Sequence, residues 1–372
     1  MKEVGSLPDF GLGWLEARGP HSDIVLSTRI RLARNLQAHA FTTRIREPER
    51  QEIFAQVREA ASHAVALSGG VAMELAELSP LSRKVLLERH LISRELAGES
   101  DVTPPRGTGL IMSPHEDVGI MVNEEDHLRL QCLMSGLRLQ EAYQLVDGVD
   151  EELGAALPMA FHHELGYLTS CPTNVGTGLR ASILIHLPGL VLTKEIGKVL
   201  QGLGQVGLTF RGLYGEGSEV VGNFFQISNQ TTLGKSEEDL LDHLEKIVGQ
   251  VMQYEVEARN VLMRDARTVM EDKIWRAYGL LRYARSLSFD EVMNLLSGVR
   301  LGVSMNLLAG LRVYTLNKIM IFSQAAHLEQ AAGRPLNDAE SDLHRAAYVR
   351  RILEREGQVS ASLDAPGEDV GV

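Results

Sequence analysis

The sequence has little cysteine, little lysine and no long apolar run. Only two cysteines occur in 372 residues, Cys132 and Cys171. That is too few for a disulfide framework and points to a reducing cytoplasm. No apolar stretch approaches the roughly 18 residues that span a bilayer. Met1–Ser6 carries no signal-peptide apolar region, so neither a membrane nor a secreted location is expected. Positive charge is in deficit, with 37 Lys and Arg against 49 Asp and Glu and a formal net charge of −12. This argues against direct nucleic-acid binding, which needs a basic footprint. The Walker loop G-x-x-x-x-G-K-[ST] is absent, which argues against a P-loop enzyme. No internal repeat is present.

What remains is an ordinary globular composition, 44% hydrophobic and 23% charged, long enough for two or three domains. Arginine greatly outnumbers lysine. Either the genome's codon composition explains this, or arginines are used as planar forks for phosphate. The stretch from Tyr167 to Ser182 concentrates a thiol, hydroxyls, Gly176, Gly178 and Arg180 between apolar runs. It reads as an anion cradle at a strand mouth or as a tight surface turn with a solvated arginine. If Ser27–Asn35 is extended, Arg29 and Arg31 share one face, flanking an anion or forming an amphipathic edge strand.

Apolar spacing predicts a helix over 48–67, a helix or a helix and a turn over 79–96 carrying His90, and a helix over 127–146 with Leu130, Leu133, Met134 and Leu137 inward. Strands are expected at 110–113 and 118–122, around a turn at 114–117, and at 182–187, 206–211 and 224–228. Alone, His90 reads as a structural histidine. The acids Glu124, Glu125 and Asp126 suit a helix N-terminus, although that leaves their contact with Arg129 unexplained. Ser236 with Asp239 resembles a capping box. Every segment from about 256 to 355 is helical in period, with a boundary near 255–262. The tail from Gly357 is expected to be disordered.

Four runs together resemble the phosphagen (guanidino) kinases. They are Ser-Thr-Arg-Ile-Arg at 27–31, Asn-Glu-Glu-Asp-His-Leu-Arg at 123–129, Cys-Pro-Thr-Asn-Val-Gly-Thr-Gly-Leu-Arg-Ala at 171–181, and Arg-Gly at 211–212. Within that family, the runs at 31–35, 211–217 and 223–230 and the appended helical region are similar to the bacterial branch acting on protein arginines. The free-guanidine branch instead carries a helical domain before the catalytic one.

The resemblance implies an α+β fold, an antiparallel sheet flanked by helices and related to glutamine synthetase, over residues 1–257. An all-α domain over 258–356 would bind phosphoarginine and dimerise, and 357–372 would be a tail. It implies ATP and Mg²⁺ as cofactors, with no metal site of the protein's own. Nucleotide contacts would come from Ser27, Thr28, Arg29, Ile30 and Arg31, from His90 and Arg129, and from Arg180, Ala181, Ser182, Ile183 and Leu184. Arg211, Gly212, Leu213, Tyr214, Gly215 and Glu216 would complete them. Glu125 and Glu216 would clamp the substrate guanidinium, with Cys171 beside it as a third anion, since cationic surroundings favour thiolate. In the helical domain the resembled kinases bind phosphoarginine through Arg-Asp-x-x-Arg-Ala. Here Ser341 replaces the leading arginine, followed by Asp342, Arg345 and Ala346. Implied partners are protein substrates presenting arginine, a zinc-binding activator and a ClpC-type protease. A homodimer or larger homo-oligomer in stress response is expected. The rival readings are a free-arginine kinase and a catalytically silent phosphoarginine-binding adaptor.

Overall fold

In the computed structural model, residues 12–98, 102–212, 220–356 and 360–361 are described. Eight strands form one sheet: β1 (Val25–Arg34), β2 (Val71–Glu74), β3 (Gly109–Met112), β4 (Val118–Val122), β5 (Leu128–Ser135), β8 (Leu179–His186), β9 (Leu208–Arg211) and β10 (Phe224–Asn229). Their order is β2-β3-β4-β5-β1-β8-β10-β9, and every pairing is antiparallel. Two-residue strands β6 (Phe161–His162) and β7 (Gly166–Tyr167) form a separate hairpin.

Alternation along the central strands separates two faces. Ile30 and Leu32 of β1 lie with Leu130 and Cys132 of β5 and Ala181 and Ile183 of β8 in one apolar core. Over this face pack α1 (Glu47–Ala61), α4 (Leu139–Ala156), α6 (Ile196–Gln205) and the first half of α7 (Glu237–Tyr283), with α5 (Pro188–Leu192) alongside. The capping box at Ser236 and Asp239 starts α7. The opposite face is apolar in two places: Leu110, Met112 and Met121 join a small core with Leu86 and Leu96, and a larger one lies toward the start of β1. There Leu26, Leu133, Leu184 and Phe224 join the second core, built by the end of α7 with α8 (Phe289–Ser304), α9 (Val313–Phe322) and α11 (Asp338–Arg355). Helices α2 (Pro80–Glu88), α3 (Arg94–Ala97) and α10 (Ala325–Ala332) complete the described helices. Among the described residues, no helix is long and apolar enough to cross a membrane.

Several expectations are corrected. Residues 128–135 are a strand, and the helix expected from 127 begins at Leu139. Leu128, Leu130, Cys132 and Met134 alternate with Arg129, Gln131 and Ser135 at a strand's period of two, while Leu130, Leu133, Met134 and Leu137 also match a helical spacing, so the two periods compete. The first helix stops at Ala61, and Val65–Leu67 is a separate 3-10 turn. The boundary expected near 255–262 falls inside helix α7, which spans it and has Ala266 as its one non-helical residue. Ser360–Ala361, in the expected tail, pairs as β12 with β11 (Leu308–Ala309), which interrupts the helical region.

Candidate active site

Register collects the arginines. Residues directly opposite in a ladder share a face. Arg31 of β1 faces Arg180 of β8, Arg29 faces Ser182, and Ala33 faces Arg129 of β5. Further along, Leu184 faces Gln226, which faces Arg211 of β9. Arg29, Arg31, Arg129, Arg180 and Arg211 therefore occupy the face opposite the large core. Burial, then Arg129, lowers the Arg29 pKa to about 10. Arg31 is also held well below its ordinary value, first by burial and then by Arg129, Arg29 and Arg180, with Glu124 opposing. Its Nε is buried without a hydrogen-bond partner among the described residues.

Alternation also divides the expected nucleotide contacts. Ser27, Ser182 and Leu184 share the arginine face. Ile30, Ala181 and Ile183 point into the opposite core, so only their backbone could meet a ligand. Thr28 is structural on that side, donating to the Gly136 carbonyl at 2.7 Å and accepting from the Arg138 N–H at 2.9 Å. His90 sits in the turn after α2 at φ +61°. Burial and Arg29 hold its pKa well below the ordinary value. Gly212 is buried beside Arg211, whereas Leu213, Tyr214, Gly215 and Glu216 lie outside the described residues.

The three acids lie between β4 and β5, not on a helix. Glu124 pairs with Arg129 at 2.5 Å. Asp126 accepts from Asn35 Nδ2 and the Ser170 N–H, both at 2.6 Å, and so ties the 168–171 segment to this turn. Glu125 is left facing outward, its carboxylate 3.9 Å from Arg129 and hydrogen-bonded with Cys171. Burial raises the Glu125 pKa, and Asp126 and Glu124 raise it further, against Arg129 and the Cys171 bond. Cys171 Sγ also lies 3.0 Å from Thr173 Oγ1. Glu124, Glu125 and Arg129 line a cavity of about 520 Å³ with Arg50, Glu95 and Thr108.

The glycines after Cys171 serve the chain itself. A Cβ on Gly178 (φ +65°) would stand 2.6 Å from the Ala33 carbonyl, and one on Gly176 (φ +112°) 2.4 Å from that of Thr232. The loop therefore closes on β1, where the Ala33 N–H donates to the Gly178 carbonyl at 3.0 Å.

Residues 52–258 match the model for the ATP:guanido phosphotransferase C-terminal catalytic domain. The chain belongs to the ATP:guanido phosphotransferase family. Residues 267–363 match the model for the protein-arginine kinase McsB C-terminal domain. Curated relatives include the protein-arginine kinase of Pelotomaculum thermopropionicum, 46% identical over 91% of this chain and 94% of the relative. That of Symbiobacterium thermophilum is 47% identical over 91% and 96%, and one from Bacillus cereus is 44% identical over 91% and 95%. Lombricine kinase shares the fold at TM-score 0.56 and 23% identity, over 68% of this chain and 72% of that one. A taurocyamine kinase from Schistosoma mansoni does so at 0.57 and 24%, over 77% and 41%.

As a member of this phosphotransferase family, the chain uses a nucleotide, and its cationic face fits the phosphates. Arg29 and Arg31 are buried cations crowded by like charge, a state that an arriving polyanion relieves. Motif order pointed to Glu125, Arg129 and Arg180, and the register puts Arg129 and Arg180 on one face with Glu125 at its end. Asp126 was legible as charge only, because its partners Asn35 and Ser170 are remote in the chain.

On α11, Ser341 and Ala346 are buried. Arg345 is also buried, donating to the Ser323 carbonyl at 2.8 Å, the Leu287 carbonyl at 2.9 Å and Asp342 Oδ1 at 2.5 Å.

Proposed function

We propose that the protein transfers the γ-phosphoryl group of ATP to arginine side chains of other proteins. The single observation behind this reading is the five-arginine face ending at Glu125. One end suits a triphosphate and the other a guanidinium.

The substrate guanidinium has a pKa of roughly 12.5–13.8, so free deprotonation at pH 7 would cost about 7.5–9 kcal/mol. Glu125, 3.9 Å from Arg129, orients that group and takes its proton as the phosphorus–nitrogen bond forms and the bond to the leaving ADP oxygen breaks. Its raised pKa brings it toward the working pH, where general bases are most effective. Cys171 holds Glu125 in place and adds a polar contact to the guanidinium. Arg31, Arg129 and Arg180 hold the transferring phosphoryl, and stabilisation is by position and charge rather than by a covalent intermediate. Mg²⁺ arriving with the nucleotide would supply neutralisation of the developing charge. Glu216 is assigned as the second clamp on the guanidinium by the motif at 211–217.

The open cavity beside Glu125 and the protein-arginine kinase relatives favour a protein-borne guanidinium over a free one. The same kinship supports a cytoplasmic, homodimeric enzyme, with the helical region at 258–356 contributing dimerisation and phosphoarginine binding. It would mark proteins for a ClpC-type protease and control a stress-response repressor, with a zinc-binding activator. Phosphorus NMR of ATP with either an unfolded protein or free arginine tests the reading. A phosphoramidate signal is expected on the protein alone. A signal only on free arginine, or on neither, sinks it.

A further inference from the structure

Asn35 closes the Arg-Leu-Ala-Arg-Asn run at 31–35 and is 1% exposed. Every polar atom of its side chain is engaged. Nδ2 donates to Asp126 Oδ1 at 2.6 Å and to the Leu168 carbonyl at 3.0 Å. Oδ1 accepts from the His127 N–H at 2.9 Å. An amide has two N–H donors and one oxygen, and these partners fix which way it points. Turned over, it would set its oxygen against a carboxylate and a carbonyl.

The backbone ladders stop where this side chain takes over. Pairing of β1 with β5 ends at Arg34 and Leu128, and pairing of β1 with β8 ends at Leu32 and Leu179. Beyond them lie two irregular segments. One carries Glu125, followed by Asp126 and His127. The other carries Cys171, preceded by Leu168 and Ser170, whose N–H reaches the same Asp126 Oδ1 at 2.6 Å. Asn35 therefore holds both segments with one amide. Asp126 cannot do so alone, since a carboxylate has no hydrogen to offer the Leu168 carbonyl. The chain after Asn35 fixes the outer side of the Glu125 turn. His127 Nδ1 accepts from the Leu36 N–H at 3.0 Å, which leaves Nε2 to donate to the Ala40 carbonyl at 2.8 Å. Thr42 Oγ1 donates to the carbonyl of Glu125 itself.

We propose that Asn35 is a positioning residue for phosphoryl transfer, its amide setting the distance between Glu125 and Cys171 and so the aim of the base at the guanidinium. This rests on the kinase reading above and adds to it a buried residue that acts only through others. The Glu125 side chain is 43% exposed, so little packing holds it. Its place comes from its backbone and from the bond to Cys171. A general base must come within about 2.6–3.2 Å of the atom whose proton it takes, and a displacement of about 1 Å can cost about 10²-fold in rate.

Asn35→Ala in the full chain tests this. Its kcat on an unfolded protein should fall about 10²-fold, with ATP affinity by calorimetry unchanged. The pH profile separates positioning from mere stability. The Cys171 bond holds the Glu125 pKa down against burial, so losing that bond should move the acidic limb of kcat to higher pH. Arg129, Glu124 and Asp126 also act on Glu125, and Arg50 and Glu95 line the same cavity; the variant keeps all of them. A merely structural asparagine would reduce the amount of active protein and leave the limb in place. That result, or an unchanged kcat, overturns the proposal. Iodoacetamide should also modify Cys171 severalfold faster in the variant, because its sulfur is freed from Glu125, and an unchanged rate overturns the proposal too. If Asn35→Ala does not fold, Asn35→Ser carries the same measurements, with a hydroxyl too short to reach both segments. A wild type that transfers no phosphoryl group to protein overturns the kinase reading instead, and the alkylation rate, which needs no turnover, still decides the role of Asn35.

Discussion

Arg31 stands directly opposite Arg180 across the ladder between β1 and β8. Like charges in that relation are destabilising, and Arg29 and Arg129 add to the repulsion. Glu124 opposes it, but that carboxylate is already paired with Arg129. The face is therefore under electrostatic strain until an anion arrives.

Removing one of these charges should separate stability from function. Arg31→Met is expected to raise the Tm of the ligand-free protein, because a buried, crowded cation is replaced by an apolar chain. The same variant should lose the Tm rise that ATP produces in the wild type, which is about 2.7 kcal/mol of stabilisation at one hundred times Kd. Thermal melts with and without ATP check both. A variant that melts lower than wild type without ligand contradicts the account.

Glu125 must be ionised to accept the proton. Its pKa is raised above the ordinary glutamate value, so activity should fall on acidification at a pH higher than that at which an unperturbed glutamate protonates. Glu125→Gln should lower kcat by roughly 10²-fold or more with ATP affinity nearly unchanged. The pH profile of kcat should lose its acidic limb. A limb retained by the variant would assign the base elsewhere.

The two thiols should differ sharply. Burial pushes the Cys132 thiol up, and Cys132 is 0% exposed in the core of β5. Iodoacetamide should therefore modify Cys171 alone and inactivate the enzyme, with Cys132→Ser giving no protection. Cys171→Ser should itself cut activity. Mass spectrometry of the alkylated peptides reports which thiol reacted.

Phosphoarginine binding on α11 should be weak, because Arg345 already serves Asp342 and two carbonyls. Restoring the missing fork with Ser341→Arg should strengthen it by roughly tenfold, the scale of one charge-assisted hydrogen bond. Asp342→Ala should remove what remains. The full chain is the proper sample, since α7 is continuous through residue 258 and the second core includes Leu26 and Leu133. Calorimetry showing no binding by either wild type or Ser341→Arg would place phosphoarginine elsewhere.

Local chemistry alone determined part of this protein. Alternation in Ser27–Asn35 put Arg29 and Arg31 on one face, and Ser236 with Asp239 announced the start of α7. Both are relations between residues two or three apart, which backbone geometry alone imposes. Residues 128–135 defeated the same reasoning. Leu130, Leu133, Met134 and Leu137 fit a helical spacing while Arg129, Gln131 and Ser135 alternate with apolar neighbours at a period of two, and pairing with β1 and β4 decides for the strand. Tertiary structure likewise decided that Arg31 meets Arg180, that Glu125 stays outward while Glu124 and Asp126 are taken by Arg129 and Asn35, and that Trp14 lies against His90. Apart from Glu124 and Arg129, which the turn before β5 joins, those partners are far apart in the chain, and the sheet register and the second core bring them together.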